Sequence, residues 1–281
     1  MVKKIDVRRL RQSFEENQRG GDLWTPGEGV TLAYIHGLCR ENDDHPLTEG
    51  KNHIDLCLHY NLGSGSDRKM AVCLDPELNP IIKHPVVESY LERREIEIGN
   101  SCPVCDPILK GIIDPSVVDE ISVSKRYLWG ITPRAFKVNS TSENWQEISP
   151  KPQVILTGMS LYEGFMQAFF DSGDITDLDS AIYVQIERTG KGRFDTKYKV
   201  GVCTQKETPG SVLNPVKFDD RSKRIINNAV KPDGDCDLFR VVSNLIKSKS
   251  DVEELISGSI IQPVSLAGVE DLAGYRDLEN S

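Results

Sequence analysis

The chain lacks any run of 18 apolar residues, so the sequence offers no membrane-spanning helix. Its first residues, Met1-Val2-Lys3-Lys4-Ile5-Asp6, are charged and lack the apolar core of a signal peptide. The expectation is a soluble, cytoplasmic protein. Dense cysteine is missing too. Seven cysteines, an odd number, are spread over 281 residues, which does not suit a secreted disulfide scaffold. Catalytic signatures are also absent. There is no nucleophile–base–acid triad, no phosphate-binding glycine loop and no convincing pair of acid/base carboxylates, so no enzyme is expected. Asp174 and Asp177 read as turn caps. Excess positive charge is lacking as well: the net charge is −9, which taken alone argues against a nucleic-acid partner.

The distribution of charge changes that picture. Residues 1–11 hold Lys3, Lys4, Arg8, Arg9 and Arg11 against Asp6, a net +4. Residues 251–281 hold seven acidic side chains against Arg276 alone, a net −6. A basic arm, a mixed body and an acidic tail make a polarised layout.

Cysteine is sparse but locally clustered. Cys102-Pro103-Val104-Cys105 places two thiols on one tight turn, the usual form of a metal knuckle. A redox pair of the thioredoxin kind needs a strand–helix setting that this stretch lacks. His59 and Cys73 flank a predicted hairpin and can lie side by side, completing a Cys3His set for one zinc ion. Such a closed shell makes the metal a structural staple, without an open position for chemistry. His84 competes for the fourth place. His53 and Cys57 are weaker candidates, on the same strand face as His59 but displaced along it. Cys39, Cys57, Cys203 and Cys236 read as small buried hydrophobes.

Period-two alternation predicts strands over 30–35, 54–60, 69–73, 126–131, 153–156, 181–188 and 196–202. Helices are expected over 85–95, from a capping box at Ser160–Glu163 through Phe170, and over much of 235–257, with weak helical signals in the loop at 106–124. The pattern is mainly β with helices, an α+β chain. Its best match is an OB-fold barrel carrying an inserted zinc subdomain. The organisation follows: a basic arm over 1–22, an OB core over 23–215 with the zinc subdomain at about 53–124, a helical segment over 216–258, and an acidic tail over 259–281.

Two stretches alternate basic and aromatic residues. One holds Lys125, Arg126, Tyr127, Trp129, Arg134 and Lys137; the other holds Arg188, Lys191, Arg193, Phe194, Lys197, Tyr198 and Lys199. Cations that track phosphates, interleaved with rings that stack on bases, are what a single-strand groove requires. The competing view is of ordinary hairpins with solvated cations and core aromatics.

On these residues the chain resembles the zinc-containing single-stranded-DNA-binding proteins of tailed bacteriophages, of the T-even helix-destabilising type. The shared segments run in order over about residues 24–200: Trp24-Thr25-Pro26-Gly27-Glu28-Gly29, Leu58-His59-Tyr60-Asn61-Leu62-Gly63, Ala71-Val72-Cys73, Cys102-Pro103-Val104-Cys105, Lys125-Arg126-Tyr127-Leu128, Gly173-Asp174-Ile175-Thr176-Asp177, Arg188-Thr189-Gly190-Lys191-Gly192 and Thr196-Lys197-Tyr198. The resemblance implies zinc on a His and three Cys inside an OB-fold, and a basic cleft for single-stranded DNA. It implies self-association along the strand through the N-terminal arm, and contacts of the acidic tail with replication and recombination proteins. The expected setting is the cytoplasm of an infected bacterial cell, in DNA replication, recombination and repair. Departures are the long stretch between Cys73 and Cys102, a body that is not strongly basic, and a modestly acidic tail. The alternative is a zinc-stabilised protein-interaction module with little DNA binding.

Overall fold

The structure is a computed structural model. It describes residues 23–38, 45–63, 69–113, 115–142, 144–149, 151–180, 182–190, 195–203 and 220–257. The arm at 1–22 and the tail at 259–281 lie outside these residues. Among the described residues there are eight strands and seven α-helices, an α+β fold. They divide into two compact units. The larger comprises residues 23–56, 81–91 and 125–244; the smaller comprises 57–80, 92–124 and 245–257. The metal-bearing unit is therefore not the continuous 53–124 expected, since 81–91 belongs to the other unit.

In the larger unit, β1 (Gly29–His36) is buried at all eight positions. Both of its faces are covered. Ala33 and Ile35 enter one core cluster, and Leu32 and Tyr34 enter another on the opposite face. Its neighbours are β4 (Ser124–Lys137) and β7 (Tyr183–Thr189), both antiparallel to it, and β8 (Lys197–Cys203) pairs with β7. The short β5 (Gln146–Glu147) and β6 (Gln153–Thr157) pair with β4. Among the described residues β8 pairs with β7 alone, so this sheet is open and shows no closed barrel.

Strand β4 runs twice as far as the alternation at 126–131 suggests, passing straight through Pro133. It does so at an irregularity in the register, where Leu32 faces Ala135 and Ala33 faces Pro133. A bulge is where a sheet tolerates a residue without an N–H.

Helix α4 (Met159–Ser172) covers the first face with Leu161, Phe165 and Ala168, spaced at one-turn intervals. Gly164 lets it approach β8: a Cβ there would sit 2.5 Å from Val200. The expected capping box is not used. The N-cap is Gly158, which makes no side-chain cap, and Ser160 lies inside the helix. Helix α5 (Asp220–Val230) brings Ile226 to the other face. This helix falls within the helical segment expected over 216–258, ahead of the periodic stretch at 235–257. Helix α6 (Leu238–Leu245) is capped by Asp237, whose Oδ1 accepts from Phe239 N at 3.0 Å. Its Oδ2 accepts from Tyr90 Oη at 2.6 Å. Tyr90 belongs to α1 (Pro85–Arg93), and burial and Asp237 push its phenol up to about 12. Asp174 and Asp177 cap turns as expected, accepting from Thr176 N and Asp179 N at 2.9 Å each.

The smaller unit holds the end of β2 (Ile54–Leu62), strand β3 (Lys69–Val72), the short helices α2 (Cys105–Leu109) and α3 (Pro115–Ile121), and α7 (Lys249–Ser257). Two of these helices occupy the stretch 106–124 that reads as a loop with weak helical signals. The acidic residues Asp251, Glu253 and Glu254 lie in α7 and not in a flexible tail.

Among the described residues no helix is long and apolar enough to cross a membrane.

Candidate metal centre

The β2–β3 hairpin sets two of the four ligands. Leu58 faces Val72 and His59 faces Ala71, and Cys73 N continues the ladder by donating to Cys57 O at 2.9 Å. His59 and Cys73 thus lie close together, at 0% exposure each. The other two ligands come from the turn into α2, where Asp106 N donates to Cys102 O at 3.0 Å. Cys102 and Cys105 are 0% and 5% exposed.

The ligand atoms of His59, Cys73, Cys102 and Cys105 all lie within 4.8 Å of one another. His59 Nε2 is 3.4 Å from Cys102 Sγ and 3.5 Å from Cys105 Sγ, and Cys73 Sγ is 3.6 Å from Cys105 Sγ. Metal–sulfur bonds of about 2.3 Å and metal–nitrogen bonds of about 2.05 Å give a tetrahedron with edges of about 3.8 and 3.6 Å. The observed edges match that size, so the cluster fits one four-coordinate metal ion.

The surrounding hydrogen bonds prepare the site. His59 Nδ1–H donates to Ile121 O at 2.7 Å. A carbonyl only accepts, so the proton is fixed on Nδ1 and the Nε2 lone pair is left for the metal. Asn79, 1% exposed, closes the hairpin end. Its Nδ2 donates to Cys73 O at 2.9 Å and its Oδ1 accepts from Cys57 N at 3.0 Å. Neither Ile121 O nor Asn79 carries a sequence signal: one acts through its backbone, and the other lies in an ordinary turn.

The three thiols divide their protons unequally. Hydrogen bonds from the Cys105 and Cys73 thiols, and from the Cys105 amide, pull Cys102 far below the thiol range. Cys73 is pushed far up by hydrogen bonding to Cys102 and Cys105 and by burial. Cys105 is pushed up to about 12, first by its hydrogen bond to Cys102. A divalent ion held by the four ligands would keep all three sulfurs as thiolates.

The competing ligands are elsewhere. His84 packs against His45 and stacks on Phe239, with centroids 4.4 and 4.5 Å away. His53 stacks on Trp129 at 4.6 Å. Cys57 Sγ donates to Leu78 O at 3.0 Å, and it is half-buried where a fully buried residue is expected. Cys203 and Cys236 are buried as expected, and Cys39 lies outside the described residues.

Among the described residues, the expected DNA contacts do not form one patch. Tyr127 and Trp129 are 4% and 0% exposed and belong to the core. They share a face, but the other face of β4 is covered too, where Leu128 is 0% exposed. Neither ring is a stacking surface here, a correction to the expectation for that stretch. Lys125 is exposed and pairs with Asp55 at 3.4 Å. Arg126 Nη1 donates to Lys125 O at 2.9 Å. Arg188 and Tyr198 face each other across β7 and β8. Tyr198 packs on the core, and Arg188 Nη1 donates to Pro26 O at 2.8 Å. Lys197 and Lys199 alternate with them and are exposed on the opposite face. Lys191, Arg193 and Phe194 lie outside the described residues.

The register assembles a different group. Val30 pairs with Lys137 on one side and Glu187 on the other, and Glu187 pairs with Lys199. Directly opposed residues project from the same face. Lys137, Glu187 and Lys199 therefore lie in one row, with Lys197 and Thr189 in the next. Lys137 Nζ stands 4.7 Å over the ring of Trp145. Arg134 is close enough for its charge to lower the Tyr183 phenol, which burial raises.

No family model matches the chain, and no curated protein matches it.

Proposed function

We propose that the protein is a non-enzymatic single-stranded-DNA-binding protein stabilised by one structural zinc ion. The observation that carries the reading is the basic row on the open sheet of the larger unit. Lys137, Lys197 and Lys199 share one face with Trp145, and Arg134 is near. Among the described residues Glu187 and Glu147 are carboxylates of that face, and Asp174, Asp177 and Asp179 act on Tyr34 farther along it. Lysines spaced along a sheet suit a phosphate backbone, and a partly exposed indole suits stacking. Zinc is the ion best suited to a closed Cys3His tetrahedron, and such a site contributes folding free energy outright. An OB-type barrel, the N-terminal arm as a self-association element, and the acidic tail as a contact for replication and recombination proteins belong to the same proposal, on the resemblance alone.

A second reading, a metal-stabilised protein-interaction module, is favoured by the burial of Tyr127 and Trp129 and by the pairing of Lys125 with Asp55. A titration of fluorescent oligo-dT at several salt concentrations separates the two. Saturable binding that weakens as salt rises supports the strand reading. No binding at the lowest salt supports the module.

A further inference from the structure

The bonds that hold the metal centre continue one step past its ligands, within the smaller unit. Helix α3 has seven residues and buries only Ile121, its last. A helix that short does not sustain itself, so its ends need outside partners. Its last carbonyls have them. Val118 O accepts from Ser122 N and Oγ at 2.8 and 2.6 Å. Glu120 O accepts from Asn61 Nδ2 at 3.0 Å, and Ile121 O accepts from His59 Nδ1 at 2.7 Å. Two consecutive carbonyls of α3 are thus held by two residues of β2, one of them a metal ligand.

Strand β2 departs from regular geometry at this point. His59 pairs with Ala71 and Leu62 with Lys69, so Tyr60 and Asn61 stand opposite the single residue Met70. Such a bulge re-aims a side chain. Within it Asn61 has a φ of 58°, in the left-handed region. Asparagine is among the few residues with a side chain that tolerate this region, and its amide also donates. Glycine would suit the backbone and lack the donor. Alanine would supply neither. Asn61 is only half-buried, so its replacement leaves core packing intact. The His59 ring is oriented by Ile121 O, and Asn61 fixes the neighbouring carbonyl of the same turn.

We propose that Asn61 is a positioning residue of the metal centre. Its hold on Glu120 O keeps Ile121 O on His59 Nδ1, and so sets how firmly the ion is retained. This rests on the metal-binding reading of the four ligands and adds a residue outside that set.

The test uses the full chain loaded with zinc. Wild type, Asn61→Ala, Asn61→Gly and, as a control at an exposed position of α3, Asp119→Ala are mixed with a chromophoric chelator, and the rate of zinc release is followed. The same proteins loaded with cobalt report the ligand field by visible absorption. Loss of a partner bonded to the ligand itself lowers metal affinity about 10–100-fold. Asn61 acts one carbonyl farther away, so both of its variants should release zinc about three- to ten-fold faster than wild type and shift the cobalt bands. Asp119→Ala should do neither. The two Asn61 substitutions differ in backbone fit and agree in lacking the amide. Release at the wild-type rate from both, or from Asn61→Gly alone, overturns the proposal, the latter by showing that backbone conformation is what matters. Equal acceleration in Asp119→Ala also overturns it, by showing a general loosening of α3. Elemental analysis of the wild-type chain separates the two readings. A chain that holds no metal overturns both. A chain that holds one ion, with Asn61 variants that behave like wild type, loses only the positioning role.

Discussion

At the scale of single residues, several side chains are fixed by one neighbour each. His36 is 3% exposed, and burial lowers its imidazole to about 4. It packs against Gly130 so closely that a Cβ there would lie 2.0 Å from its Nδ1. The folded value lies below the unfolded value of about 6.5, so the stability His36 contributes is complete above that pH and declines as pH falls towards 4. The loss should reach about 2 kcal/mol by pH 5. Urea midpoints at pH 7.5 and 5 should separate more in wild type than in His36→Gln, and equal separations would contradict the assignment. Gly130→Ala should cost several kcal/mol by the same assay, because ring or strand must shift. At the metal centre, Cys102→Ser/Cys105→Ser should lose the bound metal, which elemental analysis would otherwise find at about one ion per chain. Asn79→Ala should cost about 2–3 kcal/mol, since it leaves Cys57 N and Cys73 O without their partner.

At the scale of elements, the two helix starts make opposite predictions. Ser160→Ala should change thermal stability by less than about 0.5 kcal/mol, because Ser160 is exposed and α4 is not capped by it. Asp237→Ala should cost about 2–3 kcal/mol, because one carboxylate caps α6 and also holds Tyr90 and Asp233 N. A larger effect at Ser160 than at Asp237 would reverse this account. The contrast also marks what was legible in the sequence. Ser-x-x-Glu has the right letters, but Gly158, two residues earlier, already starts the helix. The metal ligands were legible because a Cys-Pro-Val-Cys turn is local and a hairpin brings His59 and Cys73 together by register. Tyr127 and Trp129 were not, because alternation identifies a face but not whether a helix covers it. Helix α5 carries a single buried residue, Ile226, too little for a periodic signal. The row of Lys137, Lys197 and Lys199 joins strands far apart in sequence, which no local pattern shows.

At the scale of the whole molecule, charge decides the behaviour. The acidic excess of 251–281 is split, since Asp251, Glu253 and Glu254 are in α7. Removal of 258–281, with Glu270, Asp271, Asp277 and Glu279 against Arg276, should raise affinity for oligo-dT, most at low salt where screening is weakest. Loss of the +4 segment 1–11 should instead reduce cooperativity on long strands more than binding to a one-site oligonucleotide. Isotherms unchanged by both truncations at low salt would show that the ends are only solubilising.

The most direct test of the central claim is the salt dependence of oligo-dT binding in wild type and in Lys137→Glu/Lys197→Glu/Lys199→Glu. For single strands each phosphate contact contributes about 0.7 to the slope of log affinity against log salt. The account expects the triple variant to bind more weakly and its slope to fall by about 2, with metal content unchanged. An unchanged slope and affinity in the variant would contradict the claim that this sheet face carries the strand.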